Sequence, residues 1–363
     1  MCSSNFVIDD FFKMKRIKFY MLHPAAKDAV SALKYLQIES LQKDFDFEWD
    51  STNPDYLVTT ELIYNVPSVR KKYRKLYKKA RITIFFTREA VTPDFNLCDY
   101  AIGFDSDLQK GGDRSRYVQL PTAFDLYSAF TSDKKNAIDS IDKAAFELRN
   151  KKFFCNFLYS NHLAHPNRDR LFYLISRYKR VDSLGRHLNN VDIRGTGYKG
   201  HERDCVAIKN RYKFSIAAEN AEFPGYTSEK ILTSLAAHTV PIYFGDPDIE
   251  KFINPECFIN CNNMNSLEEV IDVVRKIDDN DDLWCKMIST PWQTPAQIEY
   301  SAKRVTDYKD FFYKIFDLDI GLARRIPIGC RPDMYKYQFF SERIHKVPLM
   351  VRAYQRIFKS YIK

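Results

Sequence analysis

The alternation of short apolar segments with segments of helical periodicity most constrains what this chain folds into. Apolar runs of strand length, such as Ile17–Leu22, Ile82–Thr87 and Val240–Phe244, are separated by amphipathic stretches. Continuous apolar runs are typical of strands buried on both faces, and their alternation with helices is typical of βα units around a parallel sheet. The pattern therefore predicts an α/β protein.

The predicted elements fall into two series. The first comprises strands at Ile17–Leu22, Tyr56–Thr60, Ile82–Thr87 and Tyr100–Phe104, and helices at Ala26–Leu41, Ser68–Ala80 and Ala137–Asn150. The second comprises strands at Phe153–Tyr159, Val181–Ser183, Tyr212–Ala217, Val240–Phe244 and Cys257–Asn260, and helices at Arg168–Tyr178, Ser228–His238 and Ser266–Ile277. Thr227 is predicted to cap the helix Ser228–His238.

These two series indicate two domains. A chain of 363 residues exceeds the roughly 250–300 residues at which one hydrophobic core stops growing. We expect two doubly wound, Rossmann-like domains that face each other across a cleft, with ligands at the carboxyl ends of the strands. The predicted ranges are 1–150 for the first domain, 151–325 for the second and 326–363 for a basic tail.

The net charge of +9 is concentrated in the tail. Residues 324–363 contain ten Lys and Arg against two Asp and Glu, so this segment carries +8 and the rest of the chain +1. A nucleic-acid-binding domain carries its positive charge over the fold itself, so we expect no nucleic-acid partner. The basic run Arg70–Arg81 is predicted to be a solvated helix with Tyr73, Leu76 and Tyr77 on its apolar face.

The segment Val347–Lys363 has apolar residues at helical spacing and basic residues on the other side. Such a helix lies on an anionic membrane surface or packs its apolar face on the protein, and the pattern leaves both open. No run approaches the about 20 apolar residues of a membrane span, and the first residues lack the pattern of a secretory signal. We therefore expect a cytoplasmic protein, with the hypothesis that the tail holds it at the inner membrane face.

Three other patterns are predicted to have no role in binding. Gly195–Gly200 matches the spacing of a dinucleotide-binding loop, but polar residues flank it where a strand and a helix are needed. Asp-x-Asp pairs such as Asp105 and Asp107 occur often by chance in a chain with 47 Asp and Glu, so no metal site is predicted. The eight cysteines show no zinc spacing and are expected to be free thiols.

The most specific signal is the segment Tyr212–Gly245. A predicted strand leads to Glu219-Asn220, a turn follows, and a helix begins near Glu229-Lys230. The amino end of a helix offers free backbone N–H groups and a partial positive charge, which suit phosphate. Lys230 adds a full positive charge, and the Glu229 carboxylate can accept hydrogen bonds from ribose hydroxyls. The segment therefore predicts a nucleoside diphosphate site.

The same segment resembles the donor-binding motif of the α1,3/4-fucosyltransferase family, glycosyltransferase family 10. The matching residues are Glu219-Asn220, Tyr226-Thr227-Ser228-Glu229-Lys230 and Val240–Gly245. Ser228 stands where threonine is usual, and Ala221 stands where serine is common. Two further segments, Phe85–Asp105 and Tyr159–Gly185, are similar to motifs of bacterial members of this family.

The resemblance implies the GT-B architecture, with an N-terminal acceptor domain and a C-terminal domain for GDP-fucose. It implies an inverting α1,3-fucosyltransferase that moves L-fucose from GDP-β-L-fucose to O3 of N-acetylglucosamine. The acceptor would be a galactosyl-GlcNAc glycan of the N-acetyllactosamine, or Lewis-antigen, type, carried on protein or lipopolysaccharide. No cofactor is implied beyond the donor substrate, and a divalent cation is not essential.

Glu89 is predicted to be the catalytic residue. Inversion needs one general base that takes the proton of the acceptor hydroxyl, and a carboxylate suits that task. Glu89 follows the predicted strand Ile82–Thr87 and lies within the segment that resembles the acceptor-side motif. Arg88 stands where bacterial relatives often have glycine and is expected to alter the fit of the acceptor.

The resemblance also implies the residues that bind the donor. Arg168 matches the phosphate-binding arginine of the family, with Arg170 as the second choice, and Lys230 matches the lysine that acts beside it. Glu229 is implied to bind the ribose. Two more residues, Asn220 and Tyr226, are implied to line the pocket, and no metal ligand is implied.

Two alternatives remain open from the sequence. One is an inverting GT-B glycosyltransferase that uses another sugar nucleotide. The other is a non-catalytic glycan-binding protein on the same fold. The presence of Glu89, Arg168, Glu229 and Lys230 together favours an enzyme over the second alternative.

Overall fold

Two sheets of parallel strands organise the computed structural model of the chain, which describes residues 14–121, 138–192 and 202–326. In the first sheet the strand order is β2-β1-β3-β4-β5-β6 and in the second it is β11-β10-β9-β7-β8. The strands are β1 (Lys15–Met21), β2 (Phe45–Trp49), β3 (Tyr56–Thr59), β4 (Ile82–Phe86), β5 (Tyr100–Gly103), β6 (Tyr117–Gln119), β7 (Phe153–Phe157), β8 (Val181–Ser183), β9 (Tyr212–Ala218), β10 (Val240–Phe244) and β11 (Ile259–Asn260).

Helices connect these strands. The α-helices are α1 (Ala29–Leu36), α2 (Leu62–Asn65), α3 (Pro67–Tyr77), α4 (Ser106–Gly111), α5 (Ile141–Asn150), α6 (Pro166–Ser176), α7 (Glu202–Lys209), α8 (Glu229–Ala236), α9 (Val270–Asp278), α10 (Asp281–Ser289), α11 (Pro295–Asp317) and α12 (Ile320–Ala323). Short 3-10 segments occupy Glu39–Lys43, Ile249–Lys251, Pro255–Cys257, Cys261–Asn263 and Leu267–Glu269. The α/β prediction is confirmed, because parallel strands need such crossover connections.

The described residues divide into two compact units. One lies within Met1–Phe86, Pro93–Ala101 and Ile315–Lys363, and the other within Thr87–Thr92 and Ile102–Lys314. The predicted domain ranges 1–150 and 151–325 stay a prediction. The tail beyond Ile326, including the segment 347–363, lies outside the described residues, as does the Gly195–Gly200 pattern.

Both faces of the second sheet are buried. Phe214 and Ile242 point into a core that contains Phe157 and Trp284. Ala217 and Tyr243, on the opposite face of the same strands, pack against Ile231 and Phe258. Side chains of a strand alternate between the two faces of its sheet, so a continuous apolar run such as β10 follows from burial on both sides.

In the first unit the basic helix α3 buries the face that the sequence predicts. Tyr73, Leu76 and Tyr77 are buried in a cluster with Leu57 and Ala80. The Lys and Arg residues of this helix occupy its other positions. The interpretation of this basic run as a solvated helix is therefore confirmed.

Several predicted boundaries differ from the structure. The helix predicted at Ala26–Leu41 ends at Leu36, where Gln37 adopts a left-handed φ of 56°. The strand predicted at Cys257–Asn260 is reduced to β11, because the preceding residues form a 3-10 turn. Thr227 does not cap α8: the N-cap is Ser228, and the Thr227 hydroxyl donates to Asp246 Oδ2 instead.

Six of the eight cysteines lie within the described residues, and all six are free thiols (Cys98, Cys155, Cys205, Cys257, Cys261 and Cys285). The described part of the chain contains no helix that combines the length and the apolar character needed to cross a membrane.

The buried carboxylate of Asp99 ties three segments of the first unit together. Its Oδ2 accepts hydrogen bonds from the backbone N–H of Thr83 (2.8 Å) and from the Thr83 hydroxyl (2.9 Å). Its Oδ1 accepts from the backbone N–H groups of Arg325 and Ile326, each at 2.8 Å. This one side chain therefore joins β4, the start of β5 and the segment after α12.

We expect Asp99→Ala to lower the free energy of unfolding by about 3 kcal/mol, because it leaves buried donors without an acceptor. Urea unfolding followed by circular dichroism measures this change. Asp94→Ala is the matched control: Asp94 is exposed and accepts from the Asn96 backbone N–H, so a loss within about 1 kcal/mol is expected. Equal losses in the two variants would contradict the role given to Asp99.

Candidate functional site

A buried carboxylate organises the start of α8. Glu219 follows the last residue of β9, at the carboxyl end of the sheet, and it is fully buried. Its Oε1 accepts from the backbone N–H of Ser228 (2.8 Å), and its Oε2 accepts from the Ser228 hydroxyl (2.7 Å) and from Lys230 Nζ (3.0 Å). Glu219 therefore fixes the first turn of α8 against the end of β9.

The charged side chains of this cluster form ion pairs with each other. Burial lowers the pKa of Lys230, but the neighbouring carboxylates of Glu219 and Glu229 outweigh burial and raise its pKa above the ordinary value. Burial raises the pKa of Glu219, against the attraction of Lys230. The Lys230 ammonium also lies 3.7 Å from Glu229 Oε1, and the Glu229 side chain is about half exposed. Lys230 is thus a fixed positive charge at the amino end of α8.

Glycine is required where β10 passes this cluster. Gly245 has a φ of +149°, and a Cβ added there would lie 2.5 Å from both Cβ and Cγ of Glu219. Contacts that short do not occur between carbon atoms, so any side chain at residue 245 displaces Glu219. The close approach of Gly245 is therefore part of how Glu219 is positioned.

A second buried carboxylate shapes the turn before α8. Asp246 Oδ1 accepts from the backbone N–H groups of Gly225 (2.7 Å) and Asp248 (2.8 Å), and Oδ2 accepts from the Thr227 hydroxyl (2.7 Å). Gly225 adopts a φ of +87° in this turn. Burial raises the pKa of Asp246, although these hydrogen bonds oppose the rise. Asp246 thus fixes the turn on both sides of Tyr226, at Gly225 and at Thr227.

Tyr226 connects this turn to the predicted base. Its ring is 2% exposed and packs edge-on against Phe104, with 5.3 Å between the ring centroids. Its hydroxyl donates to Glu89 Oε2 at 3.1 Å. Burial raises the pKa of Tyr226, so this hydroxyl stays protonated and remains a donor. Glu89 itself is exposed, and its backbone N–H donates to the Thr87 hydroxyl.

Arg168 lies in the first turn of α6, fully buried. Its Nη1 donates to Asn220 Oδ1 at 3.1 Å, and its Nη2 donates to the Asn161 carbonyl. The guanidinium carbon lies 4.6 Å from the centroid of the Tyr159 ring. Burial lowers the pKa of Arg168, but a guanidinium remains charged in proteins. The buried Nε has no hydrogen-bond partner among the described residues.

Arg170, the second choice for the same role, faces elsewhere. Its side chain is about half exposed and forms an ion pair with Glu268 Oε1 at 2.5 Å. Arg168, in contrast, contacts Asn220, which follows Glu219 directly in the chain. The geometry therefore favours Arg168, and the role of either arginine stays a prediction.

The structure thus places the predicted residues in three contacts. These contacts are Arg168 with Asn220, Tyr226 with Glu89, and Glu229 with Lys230. Four residues that position these contacts were given no site role from the sequence: Glu219, Ser228, Gly245 and Asp246. The available signal was that each of the two acids follows the end of a predicted strand after one intervening residue: Ala218 precedes Glu219 and Gly245 precedes Asp246.

In the Asp-x-Asp pair of Asp105 and Asp107, Asp105 serves the fold. Asp105 Oδ1 accepts from the backbone N–H groups of Asp107 and Leu108, which caps α4, and its Oδ2 accepts from the Thr92 hydroxyl. Among residues 14–121, 138–192 and 202–326, no three His, Cys, Asp or Glu side chains are grouped so that they could hold a metal ion.

The fold and the sequence both match known glycosyltransferases. The structure is similar to a crystal structure of an α1,3-fucosyltransferase, with a TM-score of 0.63 and 22% identity over 86% of this chain and 93% of that one. A crystal structure of an α1,3-fucosyltransferase with GDP-fucose gives a TM-score of 0.59 and 21% identity over 85% and 92%. The fold is therefore that of the GT-B glycosyltransferases, as predicted.

Two family models match separate parts of the chain. Residues 148–313 match "Glycosyltransferase family 10 (fucosyltransferase) C-term", and residues 25–127 match "Alpha-(1,3)-fucosyltransferase FucT N-terminal domain". These two ranges do not overlap and together include most of the chain. The chain belongs to glycosyltransferase family 10, the fucosyltransferases.

Relatives in this family are longer than the matched regions. A putative fucosyltransferase of Acanthamoeba polyphaga mimivirus is 33% identical over 149 residues, which are 40% of this chain and 24% of the relative. The α-(1,3)-fucosyltransferase FucT of Helicobacter pylori is 26% identical over 282 residues, 70% of this chain and 54% of the relative. The chain thus spans about a quarter and about half of the length of these two proteins.

We expect Gly245→Ala to destabilise the protein by about 3 kcal/mol, because the new Cβ collides with Glu219 at a backbone conformation that favours glycine. Thermal or urea unfolding measures the change. Gly111→Ala is the matched control, since a Cβ at residue 111 meets nothing within 4 Å; its stability should stay within about 1 kcal/mol of the parent. A tolerated alanine at residue 245 would show that Glu219 is not held there.

Proposed function

We propose that this chain transfers L-fucose from GDP-β-L-fucose, with inversion, to O3 of N-acetylglucosamine in an N-acetyllactosamine-type glycan. The observation that carries the proposal is the 3.1 Å hydrogen bond from Tyr226 to Glu89. It brings an exposed carboxylate next to the turn that leads into α8. A base and a phosphate-binding helix end are the two parts that such a transfer needs.

The amino end of α8 is the proposed site for the GDP diphosphate. Backbone N–H groups in the first turn of a helix attract phosphate oxygens, and Lys230 lies in that turn. Arg168 has a buried Nε that makes no hydrogen bond among the described residues and lies 3.9 Å from Asp169 Oδ1, and a guanidinium suits a diphosphate. Glu229, half exposed beside Lys230, is the proposed ligand of the ribose, and Asn220 orients Arg168.

In the proposed reaction the acceptor hydroxyl oxygen attacks C1 of fucose on the face opposite to GDP. Glu89 takes the hydroxyl proton as the new C–O bond forms. The bond between C1 and the phosphate oxygen breaks, and GDP leaves with the electron pair. Arg168 and Lys230 stabilise the negative charge that develops on the diphosphate, so the scheme needs no metal ion.

Tyr226 has a separate part in this scheme. Its hydroxyl donates to Glu89 Oε2 at 3.1 Å. This hydrogen bond orients the Glu89 carboxylate for the acceptor. The crystal structure solved with GDP-fucose and the H. pylori relative named an α-(1,3)-fucosyltransferase support the choice of donor and linkage.

The test is transfer to N-acetyllactosamine with GDP-fucose, GDP-mannose and UDP-sugars offered separately. We expect a product from GDP-fucose alone, with α-linked fucose on O3 of N-acetylglucosamine by nuclear magnetic resonance. Transfer from another sugar nucleotide would support a GT-B glycosyltransferase with a different donor. Glycan binding without transfer from any donor would support a non-catalytic glycan-binding protein on the same fold.

We expect Glu89→Gln to lower turnover by at least about 100-fold, since the amide cannot accept the hydroxyl proton. Initial rates with GDP-fucose and N-acetyllactosamine measure the loss. The affinity for GDP, measured by calorimetry, should stay within about twofold of the parent because Glu89 is not a donor ligand in this scheme. Near-normal turnover would refute Glu89 as the base.

We expect Arg168→Lys to weaken GDP binding by about 30-fold, which corresponds to about 2 kcal/mol for a lost charge-assisted contact. Arg170→Lys is the matched control, because Arg170 pairs with Glu268 at the surface, and its affinity should be unchanged. Calorimetric titration with GDP measures both. A larger loss of GDP affinity in Arg170→Lys than in Arg168→Lys would assign the diphosphate to Arg170.

A further inference from the structure

A buried lysine contacts α8, the helix that is proposed to bind the diphosphate. Lys209, the last residue of α7, is 5% exposed. Its Nζ donates to the hydroxyls of Thr233 (2.9 Å) and Ser234 (3.1 Å) and lies 3.4 Å from the Lys230 carbonyl. All three oxygens belong to α8, so the ammonium supports the helix that carries Glu229 and Lys230.

The described surroundings of this ammonium provide neutral oxygens rather than a paired carboxylate. The titratable groups that face it are Cys205 on α7, Glu229 and Lys230 on α8, and Glu219 at the end of β9. Burial lowers the pKa of Lys209 to about 8, although the carboxylates oppose the shift. We therefore expect Lys209 to change charge near pH 8, below the range in which a surface lysine does.

We propose that Lys209 is a positioning residue for the sugar-nucleotide donor: its buried ammonium stabilises the diphosphate through the first turn of α8, and donor binding draws a proton onto it. The inference rests on the proposed function, in which α8 receives a nucleoside diphosphate. A diphosphate brings at least two negative charges to the turn whose carbonyl lies 3.4 Å from Nζ. Charges inside a protein interact across a low dielectric, so this buried cation responds to them.

The direction of the pH effect follows from linkage. If the bound diphosphate raises the pKa of Lys209, the protonated form must bind the diphosphate more tightly by the same factor. Below a pH of about 8 Lys209 is protonated and the affinity is complete. Above that pH the proton is lost in the free protein, and the affinity falls.

The experiment is the Kd for GDP, measured by calorimetry at pH 7 and pH 9. For the wild-type chain we expect binding about fivefold weaker at pH 9. Lys209→Met should bind GDP weakly and with the same Kd at pH 7 and pH 9, because methionine has no proton to lose. Lys209→Arg, which stays charged at both pH values, should bind equally at both.

Lys151→Met is the matched control. Lys151 is also a buried lysine, its Nζ pairs with Glu147 at 2.8 Å, and it donates to the Ala237 carbonyl at the other end of α8. A lysine that serves the fold alone changes stability and leaves the pH dependence of Kd in place. This variant should therefore keep the wild-type dependence.

Three outcomes overturn the inference. One is a Lys209→Met variant whose Kd still rises with pH as in the wild type. Another is loss of that dependence in Lys151→Met. If Lys209→Met does not fold, proton uptake by the wild type on binding GDP at pH 8.5, measured in buffers of different ionisation enthalpy, decides: roughly half a proton is expected, and none contradicts it. A wild-type chain that does not bind GDP contradicts the proposed function itself.

Discussion

The buried ion pair between Glu219 and Lys230 is the interaction on which the site depends. A buried charge is tolerated only when its remaining hydrogen-bonding positions are filled, and Ser228 fills them for Glu219 through its backbone N–H and its hydroxyl. Removal of one partner from such a pair typically costs about 3–5 kcal/mol. The pair fixes the first turn of α8, and Gly245 is required because β10 passes so close to it.

Glu89, a residue distant in the chain, reaches this turn through one hydrogen bond. The turn is set by Asp246, which accepts from Gly225 and Thr227, and Tyr226 lies between those two residues. Its hydroxyl then donates to Glu89. The proposed base and the proposed phosphate-binding helix are therefore positioned by the same buried segment. Lys209 also contacts that helix, through the hydroxyls of Thr233 and Ser234.

Much of the second sheet could be predicted from the sequence, because its strands are buried on both faces and appear as continuous apolar runs. β8 and β10 have the predicted bounds. The edge strand β2 alternates aromatic and acidic residues, and it was not predicted because it lacks a continuous apolar run. The long helix α11 was also missed, since its fully buried aromatic residues, such as Tyr308 and Phe312, lie in its second half.

Some features of the candidate site could likewise be proposed from the sequence, and others could not. Arg168, Glu229 and Lys230 were proposed from the sequence because each lies in a local motif, and their roles stay a prediction. The N-cap of α8 could not be predicted, since the Thr227 hydroxyl bonds to Asp246, which comes from another strand end. The position of Glu219 against Gly245 likewise depends on β9 and β10 lying side by side, which no local pattern contains.

In the proposed function, the amino end of α8, with Arg168 and Lys230, binds the diphosphate of the donor. A crystal structure of the chain with GDP tests it most directly. We expect diphosphate oxygens within hydrogen-bond distance of the Arg168 guanidinium and the Lys230 ammonium, with the ribose hydroxyls at Glu229. A diphosphate bound away from both cations would contradict it.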